Sequence, residues 1–269
     1  MKPTEERNMQ FEDVIYEKKD RIARITINRP KVLNAFRSKT LDELVFAFDD
    51  ANNDDAVGVV VLSGAGEKAF CAGGDISEMG ELSPSAGRKF LGKCLKVSAA
   101  IRNCSKPVIA MVRGYCLGGG HEIHLMCDLT IAAESAQFGQ TGPTVGSIPI
   151  WGGTQMLPRI VGEKKAREFV FLCKRYSARE AEAMGLINRI VADDKLEEET
   201  TAWCKRILEM SPQALSVAKV SMNFEADLLY PSFVHGAEML RIVYGTEEIK
   251  EGFNAFLQKR KPDFNKFRK

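Results

Sequence analysis

Residues 114–128 read Gly114-Tyr-Cys-Leu-Gly-Gly-Gly-His-Glu-Ile-His-Leu-Met-Cys-Asp128, and the reading of this stretch decides the fold. It follows an apolar run, Lys106-Pro-Val-Ile-Ala-Met-Val112, that reads as a buried strand, and it leads into Ile123–Met126, which suits a short helix. Three successive glycines, Gly118 to Gly120, let the backbone between them approach a ligand closely. They leave the first N–H groups of the helix unpaired at the positive end of its dipole. Such groups can stabilise negative charge developing on a substrate oxygen. Glu122 sets one carboxylate beside them, which suits proton transfer next to a carbonyl or water addition to a conjugated one. The same residues also describe a tight strand-to-helix turn with an exposed Glu122, and this stretch alone leaves both readings open.

A second stretch favours the first reading. Val57-Gly-Val-Val-Val-Leu62 is another buried strand, followed by Ser63-Gly-Ala-Gly-Glu-Lys-Ala-Phe-Cys-Ala-Gly-Gly-Asp-Ile76. Two glycine-rich exits from two strands can offer two N–H donors to one oxygen, as an enolate intermediate requires. The two signatures, Ala69-Phe-Cys-Ala-Gly-Gly-Asp75 and Gly118-Gly-Gly-His-Glu122, resemble those of the crotonase (enoyl-CoA hydratase/isomerase) superfamily. The resemblance continues through Phe138-Gly-Gln140, Gly152-Gly-Thr-Gln155 and Ala181-Glu-Ala-Met-Gly-Leu-Ile187, and covers the chain from about Phe11 onward.

The composition is compatible with that reading. A chain of 269 residues, 45% of them hydrophobic, can bury a full core as one large domain or a domain with an appendage. A formal net charge of +2 points to neither nucleic acid nor a membrane surface. No apolar run has the length of a transmembrane helix, and Met1–Gln10 lacks the apolar core of a secretory signal. The seven cysteines are scattered, with no Cys-x-x-Cys, and read as reduced core residues of a cytoplasmic protein.

In chain order, residues 1–10 form a polar arm. Val14–Glu17 and Arg21–Asn28 alternate apolar and polar as a hairpin turning near Lys19-Asp20. Leu41, Leu44, Val45 and Phe48 give Ser38–Asp50 the face of an amphipathic helix, with Ser38 as a candidate cap. A strand over Val57–Leu62, a helix over Pro84–Asn103 and strands over Val108–Val112 and Leu129–Ala133 follow. From Lys164 the pattern is almost wholly helical: Lys164–Lys174, Ala178–Met184, Leu196–Met210, Pro212–Asn223, Ser232–Tyr244 and Glu247–Arg260, with a short strand over Leu186–Val191. The switch in pattern sets a boundary near residue 200, between a core over 11–200 and a helical region over 201–269. Strand pairs followed by helices fit either a spiral of β-β-α units or a doubly wound sheet. The superfamily resemblance selects an α/β spiral of β-β-α units, with a C-terminal helical region that trimerises and closes the active site.

Competing motifs fail on their residues. Gly64-x-Gly66-x-x-Ala69 mimics a dinucleotide fingerprint, but Phe70-Cys-Ala-Gly-Gly-Asp75 cannot open the regular helix that motif needs. His121 and His124 are three apart, where a helical zinc pair needs four, so no metal site is expected and both histidines are expected to pack or hydrogen-bond. No Gly-x-Ser-x-Gly elbow occurs, and three histidines give a Ser/His/Asp triad few candidates. The basic end, Lys259 to Lys269, reads either as a solvated tail or as a contact for phosphate.

The resemblance assigns roles by position. It implies that the backbone N–H groups of Gly74 and Gly119 hold the thioester carbonyl of an acyl-CoA, and that Ala72, Gly73, Asp75 and Ile76 line the CoA channel. Glu122 matches the first catalytic Glu of the hydratases, whereas Gly142 stands where they carry a second. Phe138–Ser147, Val161–Glu168, Thr246-Glu-Glu and Lys259–Phe264 are similar to 1,4-dihydroxy-2-naphthoyl-CoA synthases and ring-opening 2-ketocyclohexanecarboxyl-CoA hydrolases. That match places Tyr115, Leu117, Gly118, Thr141, Ser147, Tyr244 and Lys259 at the ligand site. Two departures stand out: those relatives lack a charged residue at the Glu122 position, and they carry an Asp after Gly-Ser-x where this chain has Ser147-Ile-Pro149. Some also hold bicarbonate with a Trp at the position of Val170.

The expected activity is hydration of an α,β-unsaturated, bulky, cyclic or aryl acyl-CoA by a homotrimer or dimer of trimers, with coenzyme A as part of the substrate and no further cofactor. Double-bond isomerisation and ring-opening hydrolysis of a cyclic β-keto acyl-CoA are the enzymatic alternatives. RNA binding, seen in some superfamily members, finds no extended basic stripe here.

Overall fold

The computed structural model describes residues 10–268. The arm expected over residues 1–10 therefore lies, but for exposed Gln10, outside the described residues. The chain opens with β1 (Val14–Lys19) and β2 (Ile22–Ile27), an antiparallel hairpin. Its turn is Asp20-Arg21, both at positive φ, 52° and 64°, as a two-residue hairpin turn of matching twist demands. α1 (Ser38–Asn53) buries Leu41, Leu44, Ala47, Phe48 and Ala51 on one stripe. Ser38 is its first residue rather than its cap. The Ser38 N–H is capped by Glu78 Oε2 at 2.8 Å, and Thr40 Oγ1 accepts from Arg37 N–H at 3.1 Å.

Next come β3 (Val59–Gly64), β4 (Ala69–Cys71), α2 (Ile76–Met79) and α3 (Pro84–Arg102), the last capped by Ser83 with Pro84 in its first turn. β5 (Val108–Val112) and β6 (Tyr115–Leu117) precede α4 (Gly119–His124). This helix starts four residues earlier than its apolar segment indicates, because the glycines form its first turn. β7 (Leu129–Ala133) and β8 (Gln137–Gly139) are followed by α5 (Leu157–Val161) and α6 (Glu163–Leu172). Then come β9 (Tyr176–Ser177), α7 (Ala178–Ala183), β10 (Arg189–Val191), α8 (Leu196–Leu208), α9 (Pro212–Asp227), α10 (Tyr230–Val243) and α11 (Glu247–Leu257).

The strands form two sheets, ordered β1-β2-β3-β5-β7-β10 and β4-β6-β8-β9. Each of the pairs β3/β4, β5/β6 and β7/β8 gives its first strand to the large sheet and its second to the small one. β3, β5 and β7 pair in parallel, as do β4, β6 and β8. The chain is thus an α/β spiral of strand pairs with helices between successive turns. Alternation along β3 splits the large sheet's two faces. Val60 and Leu62 join the main core with α1 and α3, while Val59 and Val61 join a second cluster with Leu196 and Cys204 of α8. The boundary read near residue 200 falls inside α8, which is docked on that second face. Further on, α10 lies on α3, where Gly87 leaves room for the ring of Tyr244; a Cβ there would meet Tyr244 Cδ2 at 2.6 Å. α11 closes against residues 142–145, since a Cβ on Gly252 would meet Val145 O at 2.3 Å.

Candidate active site

Successive turns of the spiral bring the two glycine-rich strand exits into contact. β4 and β6 are paired neighbours, so the loops that leave them lie side by side. A Cβ on Gly73 would meet Gly119 N at 3.3 Å, and one on Gly120 would meet Cys71 O at 2.1 Å. Gly118 adopts φ 52°, ψ −125°, a conformation open to glycine, and from it the chain enters α4. Gly119 heads that helix and has no intrahelical acceptor for its N–H. Among the described residues, neither the Gly119 nor the Gly74 N–H donates to a protein acceptor. Two unclaimed donors from adjoining loops therefore border a single cavity of about 640 Å³.

Glu122, on the first turn of α4, reaches the same cavity and is 5% exposed, not the exposed residue of a plain turn. Its Oε1 accepts two peptide N–H groups, from Trp151 at 2.7 Å and from Gly153 at 3.0 Å. Burial pushes its carboxyl up to about 8, against the opposing pull of those two donors. The group is thus poised to take and return a proton near neutrality. Asp75, the other carboxylate on the cavity wall, is engaged elsewhere: Oδ2 pairs with Arg29 Nη2 at 2.9 Å and Oδ1 caps α2 through the Ser77 N–H at 3.0 Å.

Of the residues singled out in the sequence, Ala72, Gly73, Gly74, Asp75, Ile76, Tyr115, Leu117, Gly118, Gly119, Glu122, Thr141, Ser147 and Tyr244 all border this cavity. Lys259 does not; it is an exposed residue beyond the end of α11. Among the described residues the buried Tyr244 hydroxyl has no partner, and it faces the same space as Glu122 and Cys94. Burial drives its phenol well above the usual tyrosine range and likewise raises the Cys94 thiol, so both are neutral donors there. The apolar wall is Phe36, Phe90, Trp151, Leu240 and Phe253. At Gly142, where a second acid is missing, an added Cβ would meet Ser147 O at 3.3 Å.

His121 and His124 point into the core rather than the cavity. They pack against Phe138, and His121 also against Phe169, while His121 Nδ1 pairs with the Gln140 amide at 2.8 Å. Burial holds both rings below the usual histidine range, His124 at about 4. Among the described residues no group of three or more His, Cys, Asp or Glu is placed to hold a metal. Two contributors were not legible in the sequence: the N–H groups of Trp151 and Gly153. The Gly152-Gly-Thr-Gln155 signature marked their neighbourhood, but nothing local indicated which side chain they would serve.

The wound pair of sheets, with a buried carboxyl beside two glycine N–H groups, places the chain in the crotonase class of enzymes. More particularly, a model of the enoyl-CoA hydratase/isomerase family matches residues 17–267, and the chain belongs to that family. Solved structures agree. An enoyl-CoA hydratase from Mycobacterium avium subsp. paratuberculosis K-10 superposes with a TM-score of 0.87 at 26% identity, covering 95% of this chain and 99% of the other. An enoyl-CoA hydratase from Bacillus anthracis is 33% identical, with a TM-score of 0.76 over 93% and 98% of the two chains. An enoyl-CoA hydratase/isomerase from Xanthobacter autotrophicus Py2 is 32% identical, with a TM-score of 0.85 over 93% and 94%. An acyl-CoA substrate fits this family, and no described helix is long and apolar enough to cross a membrane.

Proposed function

We propose that the enzyme adds water across the α,β double bond of an enoyl-CoA. The observation that carries this reading is Glu122, a buried carboxyl held by two peptide N–H groups and standing beside the free donors of Gly74 and Gly119. The thioester oxygen accepts from Gly74 and Gly119. Ionised Glu122 takes a proton from water as the water oxygen bonds to the β-carbon, and the electron pair moves onto the thioester as an enolate. The enolate collapses, and the α-carbon takes the proton back from Glu122. One carboxyl serves both transfers, and coenzyme A enters only as part of the substrate.

A single carboxyl also suffices for double-bond isomerisation, and Gly142 in place of a second acid favours keeping that reading. The aromatic wall and a cavity border at Gly142 that carries no second carboxyl suit a bulky, cyclic or aryl acyl group. Exposed Val217, Val220, Met222, Phe224 and Leu228 on α9 and its end support assembly as a trimer or dimer of trimers, and seven free thiols are in keeping with the cytoplasm. Incubation with linear, aryl and cyclic enoyl-CoAs, followed by product mass, tests the reading. Gain of one water supports hydration. An unchanged mass with a shifted double bond supports isomerisation, and a ring-opened dicarboxylic product supports hydrolysis.

A further inference from the structure

Three successive peptide N–H groups line the turn beside Glu122, but only the outer two touch it. Trp151 and Gly153 donate to Glu122 Oε1; between them, Gly152 N–H turns away and donates to Gln155 Oε1 at 3.2 Å. Gly152 sits at φ 117°, and a Cβ there would meet Met126 Cε at 2.5 Å. The other end of the Gln155 amide, Nε2, donates to Ser232 O at 3.3 Å, in the first turn of α10. One turn on, Gly236 brings α10 close: a Cβ there would meet Ile150 Cβ at 3.0 Å and Gln155 Nε2 at 3.2 Å. Gln155 is 6% exposed and does not border the cavity. Both ends of this buried amide are used, one on the turn that holds Glu122 and one on the helix that carries Leu240 and leads to Tyr244.

We propose that Gln155 is a positioning residue for proton transfer. It fixes the middle peptide of the 151–153 turn so that its two neighbours converge on Glu122 Oε1 and leave Oε2 free, and it locks that turn to α10. The inference rests on Glu122 being the acid–base group. The titratable side chains facing Glu122 from packed elements are Cys94 of α3 and Tyr244 after α10, both kept neutral by burial, so the two N–H donors are the adjustable influence on its carboxyl.

The test compares wild type with Gln155→Met, which keeps the volume and loses both hydrogen bonds, and with Gln155→Glu, whose buried, protonated side chain keeps a carbonyl oxygen for the Gly152 N–H and an O–H for Ser232 O. Glu122 is titrated directly by its protonated-carboxyl infrared band, with Glu122→Gln as the blank. Turnover is read with crotonyl-CoA and cinnamoyl-CoA. In Gln155→Met the inflection should move up by about one pH unit as the donors drift from the carboxylate. The same variant should lose kcat by roughly ten- to a hundredfold with KM little changed. Gln155→Glu should retain most of the plateau kcat. A folded Met variant with an unmoved inflection and wild-type kcat overturns the proposal. So does a folded Glu variant that loses tenfold or more in kcat, which decides the matter if the Met variant does not fold. Full activity in Glu122→Gln would overturn the proposed function instead, leaving the infrared shift to report on positioning alone.

Discussion

The Asp75 carboxylate and the Arg29 guanidinium lie 2.9 Å apart at the edge of the cavity. The acid that directly follows Gly74 is therefore tied into an ion pair and a helix cap, whereas Glu122, on the same cavity wall, has no cationic partner among the described residues. Arg29 also reaches toward Asp13, which Arg37 grips through two of its nitrogens. The loop bearing Gly74 is anchored in this way to the start of the chain and to α1.

Glu122→Gln should reduce enoyl-CoA turnover by roughly a hundredfold or more while leaving acyl-CoA affinity nearly intact. Steady-state kinetics paired with calorimetric binding of the product acyl-CoA separates the two quantities. Retention of full turnover on the true substrate would place the acid–base chemistry elsewhere.

The pH dependence has a definite sign. Glu122 must be ionised to begin the reaction in either direction, so kcat/KM should rise with pH through about 8. Stability should move oppositely. The folded state holds this proton from the ordinary 4.5 up to about 8, so stability is full below the lower value and falls between the two. The fall amounts to about 5 kcal/mol for this group alone. Denaturant melts across that window should show a decline in wild type that Glu122→Gln lacks; parallel curves would refute the buried-acid assignment.

Glycines at the corner should differ in their tolerance of alanine. At Gly120 a Cβ would strike backbone, Cys71 O, at 2.1 Å, and Gly120→Ala should cost on the order of 3 kcal/mol or prevent folding. At Gly92, inside α3, a Cβ meets nothing within 4 Å, and Gly92→Ala should stabilise by about 0.5–1 kcal/mol. Thermal melts of the two variants provide the comparison, and equal effects would contradict the close contact of the loops.

Gly142→Glu should restore a second acid at the cavity wall. It needs a shift of a few tenths of an ångström at Ser147 O. The variant should improve kcat/KM for crotonyl-CoA relative to an aryl or cyclic enoyl-CoA, for which wild type is expected to be the better catalyst. A wild type that strongly prefers crotonyl-CoA would show that Gly142 has nothing to do with the size of the acyl group.

The apolar residues exposed on α9 and at its end, Phe224 and Leu228 among them, should be covered in solution. Light scattering at micromolar concentration should give the mass of a trimer or hexamer; a monomer would leave that face unexplained. Lys259, outside the cavity of its own chain, would in such an assembly be tested against a neighbouring site by Lys259→Ala and its effect on KM.

Much of this enzyme was determined by its sequence alone, because the rules involved are local. β5 and β7 occupy the residues their apolar runs indicate, and α3 ends within one residue of its reading, since burial patterns over five or more residues are distinctive. Strands of the small sheet are three residues or fewer, too short for a period to register. The Gly118–Gly120 run marked a place where backbone must come close to something, a property of missing side chains that any reader of the chain can see. What only the tertiary structure decided lies in long-range contact. The Glu122 carboxyl is raised to about 8 because distant elements exclude water from it, even though Trp151 and Gly153 supply donors from another loop. Asp75, read only as a lining residue of the CoA channel, is tied to Arg29, and Ser38, read as a cap, is the first residue of α1 with its N–H taken by Glu78. Desolvation and hydrogen-bond geometry depend on whatever the fold packs around a group, and no window of neighbouring residues contains that information.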